Sequence, residues 1–163
     1  MSMHQVLDTI RTFHGVLVLS PAAGSEFPQP AWGDHFFYYS PDGTIPQNIQ
    51  PYGTIITKNY PEDAGSRLDT GGRWRLNIQL TRAAYAELLG ADGQDRSAWH
   101  FARTDVFLPH PLYAAQSWVA VVNPGDRTLP TALQLLEEAH QSAKRRTERR
   151  TARRAQPSGG AAS

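Results

Sequence analysis

The chain holds a histidine between two prolines in the run Leu108-Pro109-His110-Pro111-Leu112-Tyr113. Pro111 disfavours helical angles at His110 and pushes it towards an extended backbone, and Pro109 has a fixed φ of its own. An imidazole on so stiff a segment suits a general base or a ligand anchor. The other use of such a pair is a corner into the next strand, with the ring bonded to a backbone carbonyl. That is the commoner one. The bond before Pro111 is open to either the cis or the trans form. Tyr113 and Trp118 follow closely, and either wall a pocket beside His110 or simply pack.

Two further groups could take part in chemistry. In Trp32-Gly33-Asp34-His35-Phe36-Phe37-Tyr38-Tyr39, Asp34 stands at the start of a strand, where functional groups project from a rigid sheet. Alternation puts His35, Phe37 and Tyr39 on one face, and Phe36 and Tyr38 on the other with Asp34. The phenylalanines read as core. Asp34, His35 and Tyr38 read equally as core or as the polar lining of a cleft. Arg73, Arg75, Asn77 and Gln79 alternate with Trp74, Leu76, Ile78 and Leu80. The plainer reading is a solvated sheet face. The functional one is a polar surface for an anionic or hydrogen-bonding ligand, joined by Lys58 from a neighbouring strand, with arginine as a bidentate fork and lysine as a point charge.

These residues together suggest a cleft lined by Asp34, His35, Tyr38, Arg75, His110, Tyr113 and Trp118 that takes a small polar or aromatic molecule. Any catalysis would be cofactor-free acid–base chemistry. His110 would move the proton, with Asp34 as its orienter or partner, and Arg75 or Lys58 would stabilise negative charge. There is no cysteine, so disulfides, thiolate metal sites and a cysteine nucleophile are all excluded. The six histidines lack the spacing of a metal motif, so no metal is expected. Neither a phosphate-binding glycine loop nor a dinucleotide fingerprint is present, and no serine sits in a nucleophile elbow.

The elements that must carry these groups follow from periodicity. Met3, Val6, Leu7, Ile10 and Phe13 recur at helical spacing, Ser2 and Gln5 have the spacing of a capping box, and Gly15 is a stop. Strands are expected at residues 16–20, 35–40, 52–58, 73–80 and 117–122, separated by loops rich in proline, glycine or polar residues. Thr81 can cap a short helix through Leu89, with Gly90 past its end. A terminal helix begins near Thr128, with Leu129, Leu133, Leu136, His140 and Ala143 as its stripe. His140 in that stripe reads as a satisfied core histidine. The His110 segment delivers the chain into the last strand.

Seven of the 16 basic residues but only one of the 15 acidic ones lie between Lys144 and Arg154, leaving 9 basic and 14 acidic in residues 1–143, a net of −5. A body of that sign repels phosphate backbones, so any nucleic-acid binding belongs to the tail. An acidic protein partner is the other use of that tail, and a frayed, solvated end is the commoner meaning of such a run. Beyond about Arg150 the composition is too poor in apolar groups to order itself. The N-terminus has no secretory pattern, no stretch approaches the ~20 apolar residues of a membrane span, and a cytoplasmic protein is expected.

The blocks "WGDHFFYYSPDG", "PYGTIITKNYP", "RLNIQL" and "PHPLYAAQSWVAVVNPGDRT" with "LLEEAH" resemble a family of uncharacterised actinobacterial proteins, a domain of unknown function, across most of residues 1–145. More loosely, "RLNIQLTRAAYAELLG" followed by "WVAVVNPGDRTLPTALQLLEEAHQSA" is similar to the second half of MmcQ/YjbR proteins, which implies a compact α+β fold and transfers no catalytic residue. The expected architecture is α+β: a mostly antiparallel sheet packed by an N-terminal helix, a short middle helix and a C-terminal helix. Residues 1–147 form one domain, with a basic and then Gly/Ala/Ser-rich tail at 148–163. Three functions remain open: a small-molecule binder or enzyme, an interaction module acting through the tail, and a non-catalytic structural protein.

Overall fold

A computed structural model describes residues 2–155, without the side chain of Ser2. The expected cap at Ser2 and the Gly/Ala/Ser-rich end at 156–163 therefore lie outside the described residues. The elements in order are helix α1 (Ser2–Arg11), strands β1 (Val16–Leu19), β2 (His35–Tyr39), β3 (Gly53–Ile56) and β4 (Arg75–Gln79), helix α2 (Arg82–Leu89), strands β5 (Leu108–Pro109) and β6 (Trp118–Val122), and helix α3 (Leu129–Ala155). The six strands form one sheet in the order β1-β2-β3-β4-β6-β5, with every neighbouring pair antiparallel. The architecture is α+β, as the periodicity indicates.

Register decides which side chains share a face. One row crosses the whole sheet as Val18, Phe37, Gly53, Ile78, Val119 and Pro109, and another runs His35, Ile55, Leu76, Val121. Against these rows pack Val6, Leu7 and Ile10 of α1 and Ala132, Leu135, Leu136, Ala139 and Ala143 of α3. The intervening rows, Phe36-Thr54-Asn77-Ala120-Leu108 and Ile56-Arg75-Val122, face the other way. Both helices thus cover one face and leave the polar row of β4 on the other.

Helix α2 is capped as its sequence suggests. The Thr81 hydroxyl accepts from Ala84 N at 3.1 Å, and Gly90 adopts a φ of 71° just past the end. His140 is a satisfied core histidine: Nε2 donates to His14 O at 2.7 Å and Nδ1 accepts from Tyr52 Oη at 2.9 Å. The buried stripe of α3 is shifted from the expected one. Ala132, Leu135 and Ala139 join Leu136, His140 and Ala143, while Leu129 and Leu133 are half-buried.

Three further features depart from expectation. The Leu108–Pro109 segment is a two-residue edge strand, too short for a period to reveal. Helix α3 continues through Ala155, because Arg, Glu and Ala are strong helix formers and no proline intervenes before Pro157. Arg73 precedes β4 and leaves the polar row. Its guanidinium donates to Ser66 O and Ala102 O.

Gly53 lies where Leu136 of α3 packs tightly on the sheet. A Cβ there would lie 3.0 Å from Phe37, 3.2 Å from Leu136 Cδ2 and 3.3 Å from Asn77 O. Gly53→Ala should therefore destabilise the protein by about 1–3 kcal/mol through overpacking. The change should appear as a lower urea midpoint with an unchanged slope. An equally stable variant would show that α3 has room to withdraw.

Candidate functional site

The long β3–β4 connection folds back over the sheet face that the helices leave open. Tyr60 and Asp63 exchange backbone hydrogen bonds (Tyr60 N to Asp63 O, 3.3 Å; Asp63 N to Tyr60 O, 2.9 Å), which closes a tight turn over Pro61-Glu62. The turn carries Asp63 to Arg75. Arg75 is 1 % exposed. It holds Asp63 bidentately, Nη1 to Oδ1 at 2.9 Å and Nη2 to Oδ2 at 2.5 Å. Nη1 also donates to Ser66 Oγ at 2.9 Å, and Nε to Asn77 Oδ1 at 2.8 Å. Asn77 Nδ2 continues to Thr54 Oγ1 at 3.0 Å. A buried charge is tolerable only with this kind of pairing. The solvated face expected for Arg75 and Asn77 is corrected here: both are buried, Arg75 against Asp63 and Ser66 and Asn77 between Arg75 and Thr54.

His110 sits directly after β5, and its backbone N donates to Trp118 O at 3.0 Å. That bond aims the ring at β4. Nδ1 accepts from the backbone N–H groups of Leu112 (3.0 Å) and Tyr113 (3.1 Å), and Nε2 lies 3.3 Å from Arg75 Nη2. Tyr113 leans on the ring with centroids 4.8 Å apart, and Trp118 meets it edge-on at 6.2 Å. Burial and the adjacent Arg75 charge push the imidazole pKa down to about 3, against a smaller opposing pull from Asp63. His110 is therefore neutral at physiological pH. The peptide bond before Pro111 is trans.

Above these groups lies a cleft of about 560 Å³. Phe36, Ile56, Tyr60, Pro61, Leu112 and Tyr113 supply its apolar walls. Thr54, Arg75, Asn77 and His110 supply its polar floor, with Asp63 and Glu62 on the turn. Tyr113 is half exposed at the rim, and Trp118 supports His110 from outside the lining.

The structure brings Arg75, His110, Tyr113 and Trp118 together but not the other expected residues. Asp34 is fully buried outside the cleft. Its Oδ1 accepts from Thr57 N (2.9 Å), Thr57 Oγ1 (2.9 Å) and Lys58 Nζ (3.0 Å), and its Oδ2 from Tyr60 Oη. It thereby fixes Tyr60 at the cleft wall. Lys58 also donates to Pro30 O (3.0 Å) and Trp32 O (2.6 Å), which turns it away from the floor. His35 lies on the helix-side face, with Nδ1 2.7 Å from Ser20 Oγ. Tyr38 is on the cleft-side face but at the far end of β2, beside Ile49, Arg146 and Arg150 of a separate surface.

Asp63 and Ser66 escaped the sequence reading. The available signal was an arginine between apolar strand residues, which demands a carboxylate from some loop. The candidates Glu62, Asp63 and Asp69 all lie in the polar segment just before it. Among the described residues no three His, Asp or Glu side chains are grouped to hold a metal ion.

A neutral His110 has a consequence for acid stability. The unfolded imidazole takes a proton near pH ~6.5, whereas the folded one takes it only at about 3. Between those values the unfolded chain binds more protons, so stability falls as pH drops through the window. His110→Asn should therefore give a shallower loss of melting temperature from pH 6.5 to 4 than the parent protein shows. An identical slope in both would mean that His110 is protonated in the folded state.

No curated protein and no solved structure gives a significant match to the chain. A family model does match, over residues 1–152, from α1 through the basic turns of α3. The chain belongs to the DUF6194 family, a family of unknown function.

Proposed function

We propose that this protein binds a small molecule in the cleft between the open sheet face and the 60–63 turn. The observation that carries this is the convergence of Arg75, Asn77, Thr54 and His110 at the base of a cavity of about 560 Å³ whose walls are mostly apolar. Ligand sites commonly combine that size, apolar walls and a few convergent polar groups. The ligand's body would lie against Phe36, Ile56, Leu112 and Tyr113. Its polar end would reach the floor.

Should the site perform chemistry, His110 is poorly suited to take a proton. Its Nδ1 lone pair already accepts two backbone N–H groups, and its pKa is about 3. A neutral imidazole beside a guanidinium suits polarisation of a bound oxygen instead. The proposed binding needs no cofactor. No helix among the described residues is long and apolar enough to cross a membrane, and a cytoplasmic location is part of the proposal. A setting in specialised actinobacterial metabolism, and the distant MmcQ/YjbR likeness, rest on the sequence resemblance alone.

A second surface favours a different partner. Arg145, Arg146, Arg149, Arg150, Arg153 and Arg154 recur every four residues in α3, past Ala143, its last buried residue. At ~100° per residue they occupy one half of the helix circumference. This face fits the phosphate backbone of a nucleic acid.

Two measurements test these proposals. Fragment screening by amide NMR should move Thr54, Asn77 and Tyr113, and Leu112→Ala should weaken the hits about 4-fold for each of its removed carbons that the ligand covers, since each buried CH₂ contributes ~0.8 kcal/mol. Hits confined to other surfaces would contradict the cleft. For the helix, duplex affinity should fall steeply between 50 and 200 mM salt and be lost when Arg149, Arg150, Arg153 and Arg154 are all changed to Gln. Binding indifferent to salt, or to those four changes, would remove the second reading.

A further inference from the structure

We infer that the ligand of this cleft presents a neutral carbonyl-type oxygen to Arg75 Nη2 and His110 Nε2 together. This rests on the binding role proposed above and narrows it to a chemical class.

Arg75 has five N–H groups. Nε serves Asn77, Nη1 serves Asp63 and Ser66, and one N–H of Nη2 serves Asp63. The remaining Nη2 hydrogen faces His110 Nε2 across 3.3 Å. Whether the imidazole can accept it depends on where the ring proton sits. Nδ1 faces two backbone donors, Leu112 N at 3.0 Å and Tyr113 N at 3.1 Å. A proton on Nδ1 would crowd three hydrogens into one lone-pair direction. Nδ1 is therefore bare, and the neutral ring carries its proton on Nε2.

The 3.3 Å approach is then a meeting of two donors. A buried donor without an acceptor is destabilising, so the pair calls for one oxygen with two lone pairs. A carbonyl oxygen meets that need, as part of an amide, ketone or lactam. The charge count decides against an anion. Arg75 is matched by Asp63, His110 is neutral, and Glu62 adds one further negative charge to the lining. A carboxylate or phosphate would lose its water in a cleft with no spare positive charge to receive it. The walls complete the description: Phe36, Ile56, Leu112 and Tyr113 fit a flat or aromatic body behind the carbonyl.

The test uses the full chain and three matched probes: benzamide, benzoate and benzylamine. Long-range ¹H–¹⁵N correlation of the His110 ring at pH 7 should show the proton on Nε2, and the opposite tautomer would overturn the inference. Benzamide should bind at least about 10-fold tighter than benzoate, read from the amides of Thr54, Asn77 and Tyr113. His110→Asn should abolish that advantage. Its Oδ1 can still accept from the Leu112 amide, as Asn does in turns, but it lacks the Nε2 donor. Benzoate binding as tightly as benzamide, or unchanged benzamide affinity in His110→Asn, would overturn it. If benzylamine shifts the cleft amides with no preference for benzamide, the inference fails and the binding cleft stands. If no probe shifts them, both fail. Should His110→Asn not fold, the tautomer and the probe ratio in the parent protein decide the matter.

Discussion

A guanidinium in the middle of a sheet is the constraint on which the open face depends. Arg75 lies on β4, with strands on both sides, and cannot leave. Its charge must be met where it stands, so a partner has to come to it. Asp63 does so from a loop, which forces the 57–74 connection to double back over the sheet. Ser66 and Asn77 take further donors of the same group. Loss of the Asp63 carboxylate would leave a buried charge uncompensated, at a cost of about 3–5 kcal/mol. The turn that brings Asp63 in also brings Tyr60, Pro61 and Glu62, which form one side of the cleft. The cavity is thus a by-product of satisfying one arginine. Asp34 secures the same loop from its other end through Thr57, Lys58 and Tyr60.

Two buried histidines show how the faces differ. On the helix side, His140 donates through Nε2 to His14 O and accepts through Nδ1 from Tyr52. Phe13, Tyr39 and Tyr52 surround it. Both nitrogens are matched, so the residue ties α3 to the α1–β1 link and has nothing left to offer. On the cleft side, His110 has one nitrogen matched by backbone and the other turned to a fellow donor. Equal burial therefore conceals opposite roles, and only the count of partners at each nitrogen separates them.

The sequence carried much of the fold because most elements announce themselves locally. Thr81 and Gly90 bracket α2, and alternation in 73–80 orients β4 correctly. The same alternation already divides His35 from Tyr38, so the two could never have lined one wall. What alternation cannot reveal is which loop covers a given face. Arg75 and Asn77 looked like solvent-facing residues for that reason, and Asp63 looked like any acid in a polar stretch. Asp34 and Lys58 were attractive as reactive types. Yet they pair with each other and with nearby backbone, a local contact between the start of one strand and the end of the next. His110 and Arg75 were legible as chemistry. Their meeting required the β5–β6 hairpin, whose two-residue strand leaves no periodic trace.

That short strand also closes the sheet to outsiders. Strand β5 is an edge, and its free side would ordinarily offer amides to any passing extended chain. The backbone N of His110 turns inward to Trp118, so the residue whose amide would face outward is Pro109, which has no hydrogen to give. The next position on that side is Pro111. The stiff frame around His110 therefore has a second consequence, unconnected with any ligand: this edge withholds the amide hydrogens that an added strand would need.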